Sequence, residues 1–436
     1  MTLSNESCEG GCARSAIRGV SAPVQLGAGA VAAVVLAHFV VDFYAGYTAP
    51  LLRYFNQAFD LSQIQTSLLA IPGSLMVMCQ PILGLVSDRM RTRLFVVGGL
   101  LLGTIGYGVV QPLAALAGPG IGYGTALAGI WVGALGLACY HPQGAALAGR
   151  SKSGRFGGAV SVFVFCGSLG YGLGILVPPL FFPDRIAWIT LLGLLGLGAL
   201  VAQRAVPRLR PADEGLGLPP VMATLRQLRD EVRPAFGVLF VLWLLVVLRA
   251  ATLMGFQQFT SIYYGREHGF TDAQGALLVA AFFLSQALSG LAGTHAAERF
   301  GARRVLALTF AAGGLLLLGA LALSRGGLPG TSCILLVGGG AVMGLSVPIN
   351  VAAGQGLLPR SAALASGIMI GLGWGGGGLL VPLLAGVGDF FGSTWAVLVA
   401  AAALALPSAL LVLLLPKDMR KTEGRPCETT KTPTAG

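Results

Sequence analysis

A few side chains that could do proton or anion chemistry stand inside apolar stretches of this sequence. His38 and Asp42 are four residues apart in a stretch, 37–43, that is otherwise alanine, valine and phenylalanine. On a helix that spacing puts imidazole and carboxylate on one face, close enough to share or exchange a proton. His141 stands in Tyr140-His141-Pro142-Gln143, where the proline frees a backbone carbonyl and the imidazole needs partners, so the segment is expected to face protein or a wet cavity. Arg249, Gln257 and Asn350 are the corresponding intrusions later in the chain. The expected chemistry is proton titration at Asp42 and His38. Recognition of a small polar or anionic molecule is expected at His141, Gln143, Arg249, Gln257 and Asn350. A guanidinium keeps its charge and can fork onto a carboxylate or phosphonate, so Arg249 is expected either to contact an anion or to pair with Asp42. The bland alternatives are a helix-packing polar pair for His38 and Asp42, and an arginine snorkelling to the outer face for Arg249.

The elements that must position these residues follow from composition. The chain has 436 residues, 55% of them hydrophobic and 10% charged, far from the balance of a soluble globular protein. Apolar runs of at least about 18 residues recur at 27–50, 63–86, 94–116, 121–147, 157–182, 186–205, 235–262, 273–296, 304–324, 331–357, 362–388 and 393–415. This predicts an all-α polytopic membrane protein with twelve transmembrane helices. Asp42 then lies roughly 23 Å along the first helix, somewhat past the midplane. A carboxylate there costs about 3 kcal/mol unless it is paired, hydrated or protonated.

The runs repeat. Gly167, Gly172, Gly174, Leu176, Val177 and Pro178 match Gly371, Gly376, Gly378, Leu380, Val381 and Pro382 at one offset of 204. Pro348 stands near the place of Pro142, and Arg249 follows Asp42 by 207, so the two occupy similar depths in related helices. Two six-helix, repeat-related halves are therefore expected at 27–205 and 235–415, with a linker at 206–234 and tails at 1–26 and 416–436. Halves of this kind rock around a site near the bilayer midplane in secondary transporters. The linker carries Pro219-Pro220 and several arginines, and 221–232 is expected to form a short amphipathic helix on the inner surface. Both tails are expected to be solvated.

The net charge of +11 could suggest nucleic acid, but its distribution opposes that reading. With the N-terminus inside, 23 of the 28 basic residues fall in the tails and the inner loops; Arg53, Arg185, Arg266 and Arg325 fall outside and Arg249 lies within a span. That bias is the positive-inside pattern and places both termini in the cytoplasm. No disulfide is indicated for the seven cysteines, and Cys8 with Cys12 supplies at best half a metal site. At membrane depth the sequence offers no metal-ligand cluster and no Ser-His-Asp set, which speaks against an enzyme. Without a phosphate-cradling glycine motif, ATP-driven transport has no support. No cofactor and no metal are expected, and the partners are a small-molecule substrate, protons and the lipid bilayer. A monomer is expected.

After the second run comes Gly84, with Asp88-Arg89 and then Arg91 and Arg93; after the eighth, Thr294 is followed by Glu298-Arg299, Gly301, Arg303 and Arg304. An acid-arginine pair at a helix end followed by a basic turn can latch neighbouring helices. These stretches resemble the loop signature of the major facilitator superfamily, with Arg91 standing where that signature has a glycine and Thr294 replacing its opening glycine. Ala37-His38 with Asp42, Tyr140-His141-Pro142, and Gly354-Gln355 with Pro359-Arg360 running into Ser366-Gly367 and Gly371-Leu372 resemble its fosmidomycin resistance branch. In this chain Gln143 takes the place of an acidic residue. The resemblance implies a proton-coupled exporter of a small antibiotic-like or organic-anion substrate in a bacterial cytoplasmic membrane, with Asp88, Arg89, Glu298 and Arg299 forming cytoplasmic gates. A proton-coupled importer of a small metabolite is the alternative within the class; a membrane receptor or enzyme without flux is the alternative outside it.

Overall fold

The computed structural model describes residues 26–89, 92–148, 156–207, 221–358, 365 and 367–416. Twelve helices are long and apolar enough to cross a membrane: Ala28–Ala58, Gln63–Leu83, Leu94–Leu116, Pro119–Ala145, Val162–Phe181, Ile186–Ala205, Val232–His268, Asp272–Gly293, Ala302–Arg325, Pro329–Gly354, Gly367–Phe391 and Thr394–Leu414. They are called spans 1 to 12 in that order. An even number of spans brings both tails to one end of the bundle, here the tail end; the opposite end is the far end. One apolar core gathers residues between Leu26 and Val206, and another gathers residues between Leu239 and Leu415. A small third cluster of Ala49, Ile175, Ala276, Val279 and Ala280 joins the two where spans 1 and 5 meet span 8.

Two spans on the site are broken at places the sequence explains. Span 1 is helical over Ala28–Gly46 and again over Thr48–Ala58, because Pro50 has no N–H for the Gly46 carbonyl four residues back. Span 10 divides the same way, into Pro329–Gly344 and Ser346–Leu357, with Pro348 depriving the Gly344 carbonyl. Breaks of this kind survive at membrane depth only where protein or a wet cavity covers the freed backbone. They turn Asp42, Ser346 and Asn350 into residues near helix interruptions rather than residues in smooth rods.

The duplicated glycine ladders perform matching tasks in the two halves. A Cβ on Gly170 or Gly174 would stand 2.2 or 2.0 Å from the carbonyl oxygens of Phe39 and Phe43, so span 5 lies backbone to backbone on span 1. Gly172, on another face of span 5, meets Leu284 of span 8 in the other half. In span 11, Gly373 and Gly377 lie on Val246 and Ala250 of span 7, while Gly375 and Gly378 lie on Met78 and Ser74 of span 2. Each ladder grips the first helix of its own half and touches the other half.

Three expectations change. The segment 221–232 is not a separate surface helix; it runs straight into span 7 as one helix, Val221–His268. Spans 1 and 7 also continue past 50 and 262, to Ala58 and His268. Those extensions carry Arg53, Asn56 and Arg266, whose polarity hides them from a search for apolar runs. The tails, apart from residues 26 and 416, and the side chains of Asp88 and Arg89 lie outside the described residues.

Candidate functional site

Spans 1 and 4 bring His38, Asp42 and His141 into direct contact. His38 Nε2 is 3.2 Å from Asp42 Oδ2, and His141 Nε2 is 3.0 Å from Asp42 Oδ1. One carboxylate thus holds two imidazoles, one from its own helix and one from 99 positions further on. Neighbouring backbone and side chains brace both rings. The Phe163 carbonyl of span 5 is 2.7 Å from His38 Nδ1, and the Phe163 ring stacks on the imidazole with centroids 3.8 Å apart. Gln80 of span 2 brings its amide nitrogen to 3.3 Å from His141 Nδ1. The Tyr140 hydroxyl donates to the Val34 carbonyl and so ties span 4 to span 1 beside the cluster. Gly167 completes the wall: a Cβ there would sit 2.3 Å from His38 Cε1 and 2.6 Å from Asp42 Oδ2.

Sequence spacing showed no metal-ligand cluster at membrane depth, and the fold corrects that. The ligand atoms of His38, Asp42 and His141 all lie within 4.8 Å of one another. These atoms contact one another or the polar atoms of Phe163 and Gln80. Gln143 is buried two residues after His141.

The expected pairing of Arg249 with Asp42 does not occur. Arg249 is 2% exposed and turns into its own half, where Nη1 donates to Ser346 Oγ at 3.2 Å and the guanidinium stands 5.7 Å from the Trp374 ring centroid. The guanidinium is directed to Ser346 and Trp374 of its own half, while Asp42 is held by two histidines of the first half. Among the described residues Arg249 forms no ion pair. Asn350, one turn after Ser346, is fully buried, and among the described residues neither its Nδ2 nor its Oδ1 has a hydrogen-bond partner. Gln257 Nε2 and Gln258 Oε1 are likewise buried and unbonded. An uncompensated guanidinium and unsatisfied amides are each costly in a membrane span, and the cost falls when an anion or water reaches them.

At the far end lies a third polar group that sequence reading missed. Arg53 is 5% exposed and reaches from span 1 into the other half: its Nε is 2.8 Å from Asp272 Oδ1, Nη1 donates to the Ser261 carbonyl at 2.8 Å, and Nη2 donates to the Phe270 carbonyl at 2.8 Å. Arg266 donates to Asn56 Oδ1 at 2.7 Å. Asp389 of span 11 accepts the backbone N–H groups of Gln63 and Ile64 at 2.8 and 3.0 Å, capping the start of span 2. These contacts of Arg53, Arg266 and Asp389 all run between the halves. At the tail end Glu298 and Arg299 are exposed, and Glu298 is in no ion pair among the described residues; Arg299 lies over the Phe300 ring.

The profile of the Major Facilitator Superfamily matches residues 34–276 and 242–434, which is nearly the whole chain. The chain belongs to the Major Facilitator Superfamily. This transporter is 23% identical to the fosmidomycin resistance protein of Escherichia coli (strain K12) over 371 residues, covering 83% of this chain and 86% of that protein. Among solved structures it resembles the nucleoside transporter NupG, with a TM-score of 0.69 at 13% identity over 88% of this chain and 98% of the other. The peptide transporter POT in complex with sulfate gives 0.68 at 16% identity over 91% and 96%. A bacterial homolog of the human lysosomal transporter Spinster, in an inward-facing and unoccupied conformation, gives 0.65 at 15% identity over 90% and 97%. At these identities the structures share the fold, and the superfamily makes the protein a multi-pass secondary transporter rather than an enzyme.

Proposed function

We propose that this transporter is a proton-coupled antiporter that exports a small antibiotic-like or organic-anion substrate across a bacterial cytoplasmic membrane, with both tails in the cytoplasm. The observation that carries the coupling half of the reading is the His38–Asp42–His141 cluster, a carboxylate and two imidazoles in contact on the two spans that approach the centre of the first half. Such a group takes up a proton in one orientation and surrenders it when rocking changes its partners. Arg249, with Gln257 and Asn350, is proposed as the substrate side, because its charge lacks a counter-ion and its neighbours lack bonds. The distant likeness to a fosmidomycin resistance protein supports export of a small antibiotic-like molecule.

The reaction is an exchange. One or more protons run down their gradient through the first half while the substrate leaves against its own, and no covalent bond changes. The far-end contacts of Arg53, Arg266 and Asp389 close one orientation, and Asp88–Arg89 and Glu298–Arg299 are proposed to close the other at the tail end. The 206–234 segment is proposed as the tether between the halves.

Proteoliposomes with an imposed pH difference test this directly. Accumulation of a phosphonate antibiotic in inverted vesicles that collapses with a protonophore is the expected result, together with hypersensitivity of a strain lacking the protein. Accumulation in right-side-out vesicles instead would assign the protein to import. Flux indifferent to the pH difference would remove proton coupling.

A further inference from the structure

Beyond proton coupling, the His38–Asp42–His141 cluster has the dimensions of a transition-metal site. Two imidazoles and a carboxylate suit zinc and its neighbours, whereas magnesium and calcium take oxygen ligands. On a tetrahedral ion with bonds of about 2.0 Å, ligand atoms stand about 3.3 Å apart and the centroids of two ligating imidazoles about 5 Å apart. Here His38 Nε2 is 3.2 Å from Asp42 Oδ2, His141 Nε2 is 3.0 Å from Asp42 Oδ1, and one ligand atom from each residue can be chosen so that all lie within 4.8 Å of one another. The two imidazole centroids are 5.0 Å apart, with the rings nearly perpendicular. Their nitrogens approach opposite oxygens of one carboxylate, so an ion between the rings can be met by either oxygen or by both.

The outer nitrogens are held as they are in metal sites, where a ligating imidazole keeps its other nitrogen on an orienting partner. The Phe163 carbonyl, 2.7 Å from His38 Nδ1, only accepts; it fixes the proton of a neutral ring on Nδ1 and leaves the Nε2 lone pair for an ion. The stacked Phe163 ring holds the plane of that imidazole. Gln80 stands 3.3 Å from His141 Nδ1, and turning its amide over presents Oε1 to the same nitrogen and frees Nε2 in the same way. The site is also within reach. Asp42 and His141 are 14% and 26% exposed, which leaves a path for an ion and room for water as the fourth ligand.

We propose that His38, Asp42 and His141 form a binding site for a divalent ion of the zinc class, that Gln80 is a positioning residue for His141 in that site, and that the bound ion blocks transport. Binding stands on the geometry alone, whereas the block rests on the coupling role proposed above. Ligating atoms carry no proton, so an ion on these three residues occupies the place a coupling proton must enter. It also fastens span 1 to span 4, while the Phe163 carbonyl holds span 5 to the same ring. Among the described residues no other three His, Cys, Asp or Glu side chains come together in this way.

Titration of the purified full-length protein with cobalt(II) and zinc reads the site, without a histidine tag and with Cys8→Ser and Cys12→Ser removing the tail thiols. One cobalt ion per chain is expected, with the intense visible absorption of a four-coordinate ion, and zinc should displace it. His38→Gln and His141→Gln should each weaken zinc binding by about a hundredfold, and Gln80→Leu by about tenfold, while Gln80→Glu should tighten it. His295→Gln, at an exposed histidine away from the cluster, should leave it unchanged. Melting curves taken without metal show that each variant is folded. A parent protein that binds no zinc, or folded His38→Gln and His141→Gln variants that bind it as the parent does, would overturn the site; unchanged affinity in Gln80→Leu would remove Gln80 from it. Proteoliposomes loaded with zinc and washed should lose gradient-driven flux and regain it with EDTA. Full flux with zinc bound would overturn the block and keep the site. Zinc binding at the cluster of a protein that shows no proton-driven flux would keep the site and sink the coupling reading.

Discussion

The two halves of this transporter bury polar groups at repeat-related places and treat them in opposite ways. In the first half, Asp42 is fully answered: two imidazoles contact it, and a carbonyl and an amide brace them in turn. In the second half, Arg249 sits near the equivalent depth with one serine hydroxyl and an aromatic face, next to an asparagine with nothing to bond. Completed networks are rigid and specific, while incomplete ones keep affinity in reserve for whatever completes them. The contrast suggests a division of labour in which the first half handles the internal charge and the second half receives the external one.

The largest effect should come from removing the charge in the completed network. Asp42→Asn keeps shape but cannot take up and release a proton, so gradient-driven flux should fall by roughly a hundredfold or more, the scale of losing a buried ionic partner. Counterflow exchange of substrate, which needs no net proton movement, should survive. Both measurements use the same reconstituted vesicles. Intact proton-driven flux in Asp42→Asn would erase the distinction between the halves.

Next in size is the incomplete network. Arg249→Ala removes the guanidinium that donates to Ser346 and should abolish detectable binding of an anionic substrate. Arg249→Lys keeps the charge without the fork and should weaken binding about tenfold. Equilibrium binding on detergent-purified protein separates the two. Equal affinity in wild type and alanine variant would make Arg249 a packing residue.

The fold was legible in the sequence because hydropathy and repeat signals extend over whole helices, and the twelve runs agree with the twelve spans to within several residues at most ends. The site was legible in part. The His38–Asp42 pair follows from helical periodicity, but the arrival of His141 at the same carboxylate depends on how spans 1 and 4 pack, which no spacing encodes. The Arg249 error has the same origin: equal depth was read as proximity, whereas side-chain direction sends the guanidinium toward Trp374 and Ser346 in its own half. Arg53 was missed for a different reason. Its polarity ended the apolar run at 50, so a buried cation in a helix was filed with the loop charges.

That far-end group adds a third term to the comparison, since it joins the halves rather than serving one. Arg53→Ala removes the contacts to Asp272, Ser261 and Phe270 together. Asp272 is partly exposed, so the loss should stay below that of a fully buried pair, shifting the balance of orientations by roughly tenfold. A cysteine placed at Ser261 should then react several-fold faster with an impermeant thiol reagent added from the far side. Unchanged reactivity would mean that the apolar cluster around Ala276 and Ala280 closes this end without the arginine.

The smallest effect tests whether the glycine ladder transmits between the halves. Gly170 and Gly172 differ by two positions and face different neighbours. A methyl group at Gly170 would lie 2.2 Å from the Phe39 carbonyl, a backbone atom that cannot yield without parting spans 1 and 5. At Gly172 it would lie 2.7 Å from a terminal methyl of Leu284, which can rotate away. Gly172→Ala should therefore fold normally and bind substrate and proton as before, but pass fewer cycles because span 5 catches on span 8 as the halves move. A reduction in turnover of about twofold is expected, corresponding to a few tenths of a kcal/mol on the barrier. Gly170→Ala should instead lose thermal stability before any kinetic effect can be read. Adding Leu284→Ala to Gly172→Ala should restore turnover, because the space removed on one helix is returned on the other. Failure of that rescue would place the ladder's role within the first half alone, in the packing that holds the His38–Asp42 pair against Gly167.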